Sequence, residues 1–484
     1  MEEEGGGLER RRGRPRGPRA RGGNDLTLRH NGRVLPRPPL PPGPYLVVGL
    51  ARSGVAVALA LRARGEAVTG CDAGPVSAER RTELEAAGVV VHAGTSGLEL
   101  LAAAGTVVKS PGVPAQAPVV AAAREAGLAV VGELEIGWRL VPNETIAVTG
   151  SNGKTTTVEL IGHLHRTAGL AAEVVGNVGT ALSTLAGAEL PHTTTIVCEA
   201  SSFQLEDTEC FTPDAGVLLN LAEDHLDRHG TFAAYRAAKL EVFARQPLGT
   251  IAVAPEELAA DDLPGEAERV WFGSGPRARL AARDGALWWD GDRVIAFEDI
   301  RLRGPHNRLN AMAAAAVVLA RGMALDAVSE GLASFAGVAH RLEEIATLDG
   351  VLYVNDSKAT NVASAVAGLE SFAGGVHVIL GGRGKGGDYA PLAAPVAERA
   401  RAVYLIGESG SEIGAALDST AVPLHASGDL EAALAAARAA ARPGEVVLLS
   451  PASASFDQYA DYEARGEHFR ALVEGAAAVR RTHA

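Results

Sequence analysis

The sequence is short of cysteine, of aromatic residues and of positive charge, and each shortage removes a class of protein. Three cysteines occur in 484 residues, and Cys71, Cys198 and Cys210 share no metal-ligand spacing. So odd and sparse a set fits a reducing cytoplasm better than a disulfide scaffold. Aromatic residues make up 4% of the chain, whereas glycine alone numbers 57. Small residues at this density suit close packing of helices on sheets. The formal net charge of -13 argues against a nucleic-acid partner. Long apolar runs are missing as well. The longest helical one, Ala311 to Ala320, stops at Arg321, far short of the roughly 20 residues that span a bilayer, so no membrane segment is expected.

Lysine is absent from residues 1–44, which hold ten arginines among many prolines and glycines. No apolar segment follows them, which excludes a secretory signal. The composition reads as a disordered tail, either dispensable or the product of a start codon placed too early. A basic docking arm is the sharper alternative.

What is present beyond the tail is an alternation of strands and helices. Tyr45 to Leu50 is an apolar run ending in a glycine turn, as a buried parallel strand would. A helix follows from Ser53 to Arg64, then a strand, Ala67 to Cys71, ending at Asp72. A strand is also expected at Val107 to Lys109. A second unit opens at Thr145 to Val148, with strands at Thr195 to Cys198 and Ala215 to Leu219. Trp271, Trp288 and Trp289 suggest short antiparallel strands, and Leu309 to Ala320 a helix. A third unit has strands at Leu352 to Asn355, Val376 to Leu380, Ala402 to Ile406 and Val446 to Leu449, and a helix at Leu430 to Ala441. The pattern predicts an α/β protein of three domains, each a doubly wound, mostly parallel sheet. Their expected limits are 45–140, Rossmann-like; 141–338, with a phosphate loop; and 339–484, Rossmann-like again. Ligands of such folds sit in clefts at the carboxyl ends of strands.

The strongest local signal is Val148-Thr-Gly-Ser-Asn-Gly-Lys-Thr-Thr156, between a strand and a helix. Gly150 and Gly153 let backbone N–H groups of Ser151 and Asn152 turn inward around a phosphate, and the helix start adds its positive dipole end. Lys154 can reach the β- and γ-phosphates of ATP, and Thr155 or Thr156 can offer a hydroxyl to Mg²⁺. Val148 stands where a strict Walker A loop has glycine. The bland alternative, a chance glycine turn with a surface lysine, fits poorly with the flanking strand and helix.

Further motifs follow in order: Val175-Gly-Asn-Val-Gly179, Glu199-Ala-Ser-Ser-Phe-Gln-Leu-Glu206, Asn220-Leu-Ala-Glu-Asp-His-Leu-Asp227 and Tyr235-Arg-Ala-Ala-Lys239. Beyond them lie His306-Asn-Arg-Leu-Asn310, His340-Arg341, Asn355-Asp-Ser-Lys-Ala-Thr-Asn361 and Ser450-Pro-Ala-Ser-Ala-Ser-Phe-Asp457. With the phosphate loop, this ordered set resembles the Mur ligase family over essentially all of the chain from Tyr45 onward. The Glu199, Asn355 and Ser450 motifs are similar to the branch that adds D-glutamate.

The resemblance implies an ATP-dependent ligase. A substrate carboxylate takes the γ-phosphoryl group of ATP to become an acyl phosphate, which an amine then attacks. Both steps gather anions, so the site must supply positive charge and fixed geometry. The implied substrates are UDP-N-acetylmuramoyl-L-alanine and D-glutamate, with Mg²⁺ as cofactor and a monomeric enzyme as the working unit. By family match, Lys154, His225, Lys239, Asn177 and Lys358 are the catalytic candidates. Thr155, Glu199, His225 and Lys239 would hold metal. Lys239 fits that role only if CO₂ carbamylates it to an anionic oxygen donor; otherwise it is a helix-surface lysine. Asn307, Asn310, Arg341 and Asp356 match positions around ATP. Arg52, Ser53, Asp72, Ser110, Asn177, Ser201 and Gln204 match the UDP-substrate site. His225, Thr360, Lys385, Ser455, Phe456 and Tyr462 match the D-glutamate end. Here Phe456 replaces a common leucine, Tyr462 a common phenylalanine, and Arg383 an acidic residue of some relatives. Those departures bear on the amino acid, not on the reaction class.

Three other readings stand beside this one. A dinucleotide site at Gly49-Leu-Ala-Arg-Ser-Gly54 is disfavoured by the ligase motifs. A Mur-type ligase for another amino acid, or a folylpolyglutamate-type ligase, shares the chemistry, although the first-domain motif with Asp72 favours a UDP-sugar over folate. An ATP-binding homologue without turnover is the third, and the presence of Lys154, Glu199, His225 and Lys239 speaks against it.

Overall fold

The computed structural model describes residues 35–258, 263–302, 304–384 and 388–481, without the side chains of Asp227 and of residues 476–481. Three sheets follow one another along the chain. The first has five parallel strands with Tyr45–Val48 at its centre, between Val68–Asp72 and Thr106–Lys109. The second has nine strands. Its parallel part carries Thr145–Thr149 between Thr195–Glu199 and Ala215–Leu218. Its far edge is an antiparallel meander, Leu280–Arg283, Ala286–Trp289 and Asp292–Ala296. The third has six strands, parallel except for the edge pair Glu343–Leu348 and Val351–Asn355.

Each sheet is covered on both faces, because its strands are apolar at consecutive positions and successive side chains point to opposite sides. Ile146 and Val148 enter one core with Leu160, Leu164 and Val317. Ala147, between them, enters another with Trp138, Phe211 and Phe243. Val378 and Leu380 likewise pack on one side of the third sheet and Ile379 on the other. This is the doubly wound α/β architecture expected, three times over.

Two local expectations are corrected. Trp271 belongs to Glu268–Gly273, which pairs in parallel, not antiparallel, with Ile251–Pro255. The intervening stretch, 256–267, is long enough for a crossover, and Val270 and Phe272 are fully buried. Order also begins before Tyr45. Residues 35–44 pack across the joint between the first two sheets. The Arg37 guanidinium donates to the carbonyls of Asn143 at 2.6 Å and Val141 at 3.4 Å, and to Thr145 Oγ1 at 3.3 Å. It lies 4.4 Å over the Trp138 ring and 3.9 Å from Asp214. Thr106 and Arg139 donate to the carbonyls of Pro42 and Pro39. Composition alone reads this stretch as tail because one buried arginine and a few backbone carbonyls leave no periodic signal. The remainder of the expected tail, residues 1–34, lies outside the described residues.

Candidate active site

The strand Thr145–Thr149 delivers the phosphate loop to the carboxyl edge of the central sheet, and the helix Lys154–Thr167 leaves it. Gly153 has φ +86°, and a Cβ there would stand 2.1 Å from Asn310 Oδ1. Only glycine lets the helix Pro305–Ala320 bring Asn310 onto the loop. Asn310 in turn donates to Asn307 Oδ1 at 3.1 Å, and both are buried. Asn152 N donates to Asn220 Oδ1 at 2.9 Å, and Asn220 Nδ2 returns a bond to the Asn152 carbonyl at 3.1 Å. Ser151 Oγ lies 2.9 Å from the Tyr235 hydroxyl. The loop around Gly150 is thus held from three directions, with Thr156 buried beneath it.

Positive charge converges on this loop. Lys154 Nζ donates to the carbonyls of Gly150 and Ser151, both at 2.9 Å. Lys239, on the helix Phe232–Ala244, is buried and donates to the same Gly150 carbonyl at 2.7 Å. Burial, followed by the neighbouring Lys154 ammonium, pulls the Lys239 amine down to about 7. Burial also lowers Lys154, opposed by Glu199. Glu199 is the matching anion at the end of its strand. It accepts from Thr155 Oγ1 at 2.8 Å and from Asn177 Nδ2 at 3.2 Å. Arg341, from the third unit, donates to Thr155 Oγ1 at 3.2 Å.

Asp356 lies next to Arg341 in the third unit. Its carboxylate accepts from Ser450 Oγ at 2.8 Å and from Leu342 N at 3.2 Å. Burial raises it to about 7, against those hydrogen bonds and the Arg341 charge. Lys358 sits 5.1 Å over the Tyr462 ring, and burial, with Arg341, lowers it to about 8. In the first unit, a Cβ on Gly54 would lie 1.8 Å from the Gly49 carbonyl, so the turn closes only with glycine. Asp72 braces that turn, accepting from Leu50 N at 2.7 Å and Gly74 N at 2.8 Å. Ser110 Oγ donates to the Gly49 carbonyl at 2.7 Å. Arg52 reaches across to the Gly179 carbonyl at 3.1 Å, with Ser53 beside it at the helix start. Ser201 and Gln204 form a reciprocal cap on the short helix Ser202–Leu205.

Three consecutive stretches of the chain match known domain families. Residues 44–132 match the Mur ligase MurD-like N-terminal domain, 148–318 the Mur ligase middle domain, and 340–453 the Mur ligase glutamate ligase domain. The chain is 40% identical over 453 residues to the UDP-N-acetylmuramoylalanine–D-glutamate ligase of Acidobacterium capsulatum, covering 90% of this chain and 97% of that one. The chain belongs to the Mur ligase family. Proteins of the same name from Frankia casuarinae and Chromobacterium violaceum are 42% and 41% identical, over 89% and 90% of this chain and 93% and 98% of theirs. Among solved structures, UDP-N-acetylmuramate-alanine ligase from Thermotoga maritima has the same fold, with TM-score 0.58 and 20% identity over 90% of this chain and 100% of that one. The MurF ligase of Thermotoga maritima in complex with ADP gives 0.56 and 18%, over 86% and 91%.

Not every expected residue of this Mur ligase joins the cluster. His225 is exposed, in a left-handed backbone conformation, and its partners are Asp224 at 3.5 Å and the Phe203 ring at 4.9 Å. At the D-glutamate end, Ser455 is buried and Phe456 is 60% exposed. Thr360 is half-buried on the turn after Lys358. Lys385 lies outside the described residues. Arg383 pairs with Glu408 at 3.1 Å, while its backbone bonds that of Ala454. Sequence reasoning missed Asn220 and Tyr235 as loop supports. It also missed Arg465, a fully buried guanidinium that donates to Ser357 and to the carbonyls of Ser453 and Ala454. Its signal was an arginine one turn into the last helix, indistinguishable locally from a solvated one.

Proposed function

We propose that this Mur ligase uses ATP to join D-glutamate to the carboxylate of UDP-N-acetylmuramoyl-L-alanine through an acyl phosphate, a step of peptidoglycan synthesis. The observation that carries the reading is the convergence of Lys154, Lys239 and Arg341 on the phosphate loop, beside Thr155 and the strand-end Glu199. Three cations gather there around the Glu199 carboxylate, with Asp224 and Asp356 at their edges, an arrangement suited to polyanions such as the phosphates of ATP. Arg52, Ser53, Asp72 and Ser110 would bind the uridine diphosphate. Asn177, Ser201 and Gln204 would receive the rest of that substrate. Asn307, Asn310 and Asp356 would hold the nucleoside of ATP, with Lys358 at its terminal phosphates. Tight positioning of carboxylate and γ-phosphoryl group supplies much of the rate.

The donor set fits one Mg²⁺ at Thr155 and Glu199, a hydroxyl and a buried carboxylate in contact. Among the described residues no group of three or more His, Cys, Asp or Glu stands ready for metal. A second ion therefore needs a new anion, and a carbamate on Lys239 meets that need, with His225 as its expected neighbour. A buried amine held low enough to lose its proton near neutral pH is the form that reacts with CO₂. Bound Mg²⁺ would offset charge on the phosphates. The protein's own task is to hold the substrate carboxylate and keep water out.

Thr360, Lys385, Ser455, Phe456 and Tyr462 would form the D-glutamate end. The enzyme would act as a cytoplasmic monomer; no helix among the described residues is long and apolar enough to cross a membrane. The deciding experiment offers UDP-muramoyl-L-alanine with D-Glu, L-Glu, D-Ala and meso-diaminopimelate side by side. Product from D-Glu alone is expected. Preference for another amine would leave only the family assignment standing.

A further inference from the structure

The strand Thr106–Lys109 of the first sheet ends in a lysine with a fully buried side chain. A lysine at the carboxyl end of a parallel strand ordinarily reaches solvent. Lys109 instead turns back, and its Nζ donates to the Val113 carbonyl at 2.9 Å. That bond closes the turn Ser110-Pro111-Gly112. The same turn is tied to the glycine turn of the first strand through Ser110.

The Val113 carbonyl has a second donor, from the other side of the joint. Arg228, just after the His225 loop of the central unit, donates to it at 2.7 Å. Cations from two units thus meet on one oxygen. Two consecutive carboxylates of the central unit neutralise them. Asp207 Oδ2 lies 2.6 Å from Lys109 Nζ, and Glu206 Oε1 lies 3.8 Å from Lys109 and 3.9 Å from Arg228. Arg124 of the first unit approaches Asp207 Oδ1 at 3.5 Å, and the Asp207 carbonyl accepts from Gly132 N at 2.8 Å. Beside this cluster the joint is open rather than packed. A cavity of about 510 Å³ separates Ala115 and Gln116 from Glu206, Arg228 and Glu241. At this edge of the joint the units are linked by buried charges rather than apolar packing, whereas Leu134 and Trp138 of the first unit pack into the central core elsewhere along it.

We propose that Lys109 and Asp207 are positioning residues for ligation: their buried pair fixes the Ser110–Gly112 turn of the first unit against the capped Ser201–Leu205 segment of the central unit. The inference rests on reading the first unit as the uridine-diphosphate site. Gln204 lies two positions before Glu206, at the end of the short helix that Ser201 caps, and Ser110 immediately follows Lys109. The pair therefore couples the two halves of the UDP-substrate's path. Loosening it displaces the substrate carboxylate from the phosphate loop and leaves the loop itself intact.

Lys109→Met and Asp207→Asn each strand a buried partner, which is the costly way to break such a pair. Lys109→Met/Asp207→Leu removes both charges and restores apolar packing, but it does not restore the donor to Val113. The full chain is assayed for KM of the UDP-substrate, KM of ATP, kcat and melting temperature. In all three variants we expect the UDP-substrate KM to rise about tenfold or more, with kcat reduced and ATP KM within about twofold. In the double variant this defect persists although the melting temperature recovers. Should the single variants not fold, the double variant carries the test. Recovery of the UDP-substrate KM together with melting temperature overturns the proposal, as does an equal rise in both KM values. Titration of the wild type with UDP separates the two readings. Failure to bind UDP overturns the first-unit assignment itself, whereas binding with kinetically normal variants overturns only the positioning role.

Discussion

Lys154 and Lys239 lie 85 positions apart in sequence, yet their amines donate to one acceptor, the Gly150 carbonyl, at 2.9 and 2.7 Å. Burial disfavours the charged amine, and the Lys154 ammonium on the same oxygen adds repulsion, which is why Lys239 is held near 7. In the proposed reaction Lys154 would turn from these carbonyls to a phosphate on the loop, and Lys239 would carry the carbamate.

The two lysines should therefore fail differently. Lys154→Ala is expected to abolish ATP-dependent phosphate release with the fold intact by circular dichroism. Lys239→Ala should be nearly inactive and partly rescued by acetate or formate, which restore an anionic oxygen. Normal turnover by the unrescued Lys239 variant would end the carbamate reading.

Asp356 sets a pH dependence of stability. Its folded value is about 7 against 3.8 for the free group. Between those limits the folded protein keeps a proton that the unfolded chain has released. Stability therefore falls as pH rises from about 4 to 7 and stays at the lower level above it, by at most about 4 kcal/mol. The groups facing it are Arg341, Ser450 and the Leu342 amide. Asp356→Asn should flatten this part of the profile, read as the difference in melting temperature between pH 5 and pH 8. An unchanged difference would mean that Asp356 is ionised throughout.

Arg341 reaches Thr155 across the boundary between the central and third units, so the proposed ATP contacts are divided between them. Nucleotide and UDP-substrate together should draw the third unit inward and exclude water. Small-angle scattering with both ligands should give a smaller radius of gyration than without. Superimposable curves would count against closure.

D-Glutamate brings a side-chain carboxylate that needs a cation once it is enclosed. Lys385 is the expected one, so Lys385→Ala should weaken D-glutamate use by about 2–5 kcal/mol and leave ATP binding near normal. D-Alanine, without that carboxylate, should gain nothing from the lysine; equal losses for both amines would remove Lys385 from the site.

Arg37 ties the segment 35–44 to the central unit through three backbone or hydroxyl acceptors and Asp214, and lies over the Trp138 ring of the first unit. Burial lowers it only to about 10, so it stays charged at neutral pH. Arg37→Ala should cost on the order of 2–4 kcal/mol, and deleting residues 1–44 should do the same. Deletion of residues 1–34 tests the other part of the tail. A fully stable 1–44 deletion would return the whole segment to the status of a tail.

The central strands of each sheet, their parallel setting and the phosphate loop were legible in the sequence because each is local. A strand buried on both faces is a continuous apolar run, and a phosphate loop needs its glycines and lysine within a few residues. The ordered motifs carried the family and the reaction with it. What the tertiary structure alone decided is which distant groups meet: Lys239 under Gly150, Asp207 against Lys109, Arg37 on Asn143, Arg465 beneath Ser453. Each is a charged residue that reads as solvated surface in its own segment. Its burial, its partner and its proton affinity come from backbone carbonyls and carboxylates supplied by other parts of the chain. Desolvation and pairing are properties of the assembled neighbourhood, and no window of sequence contains them.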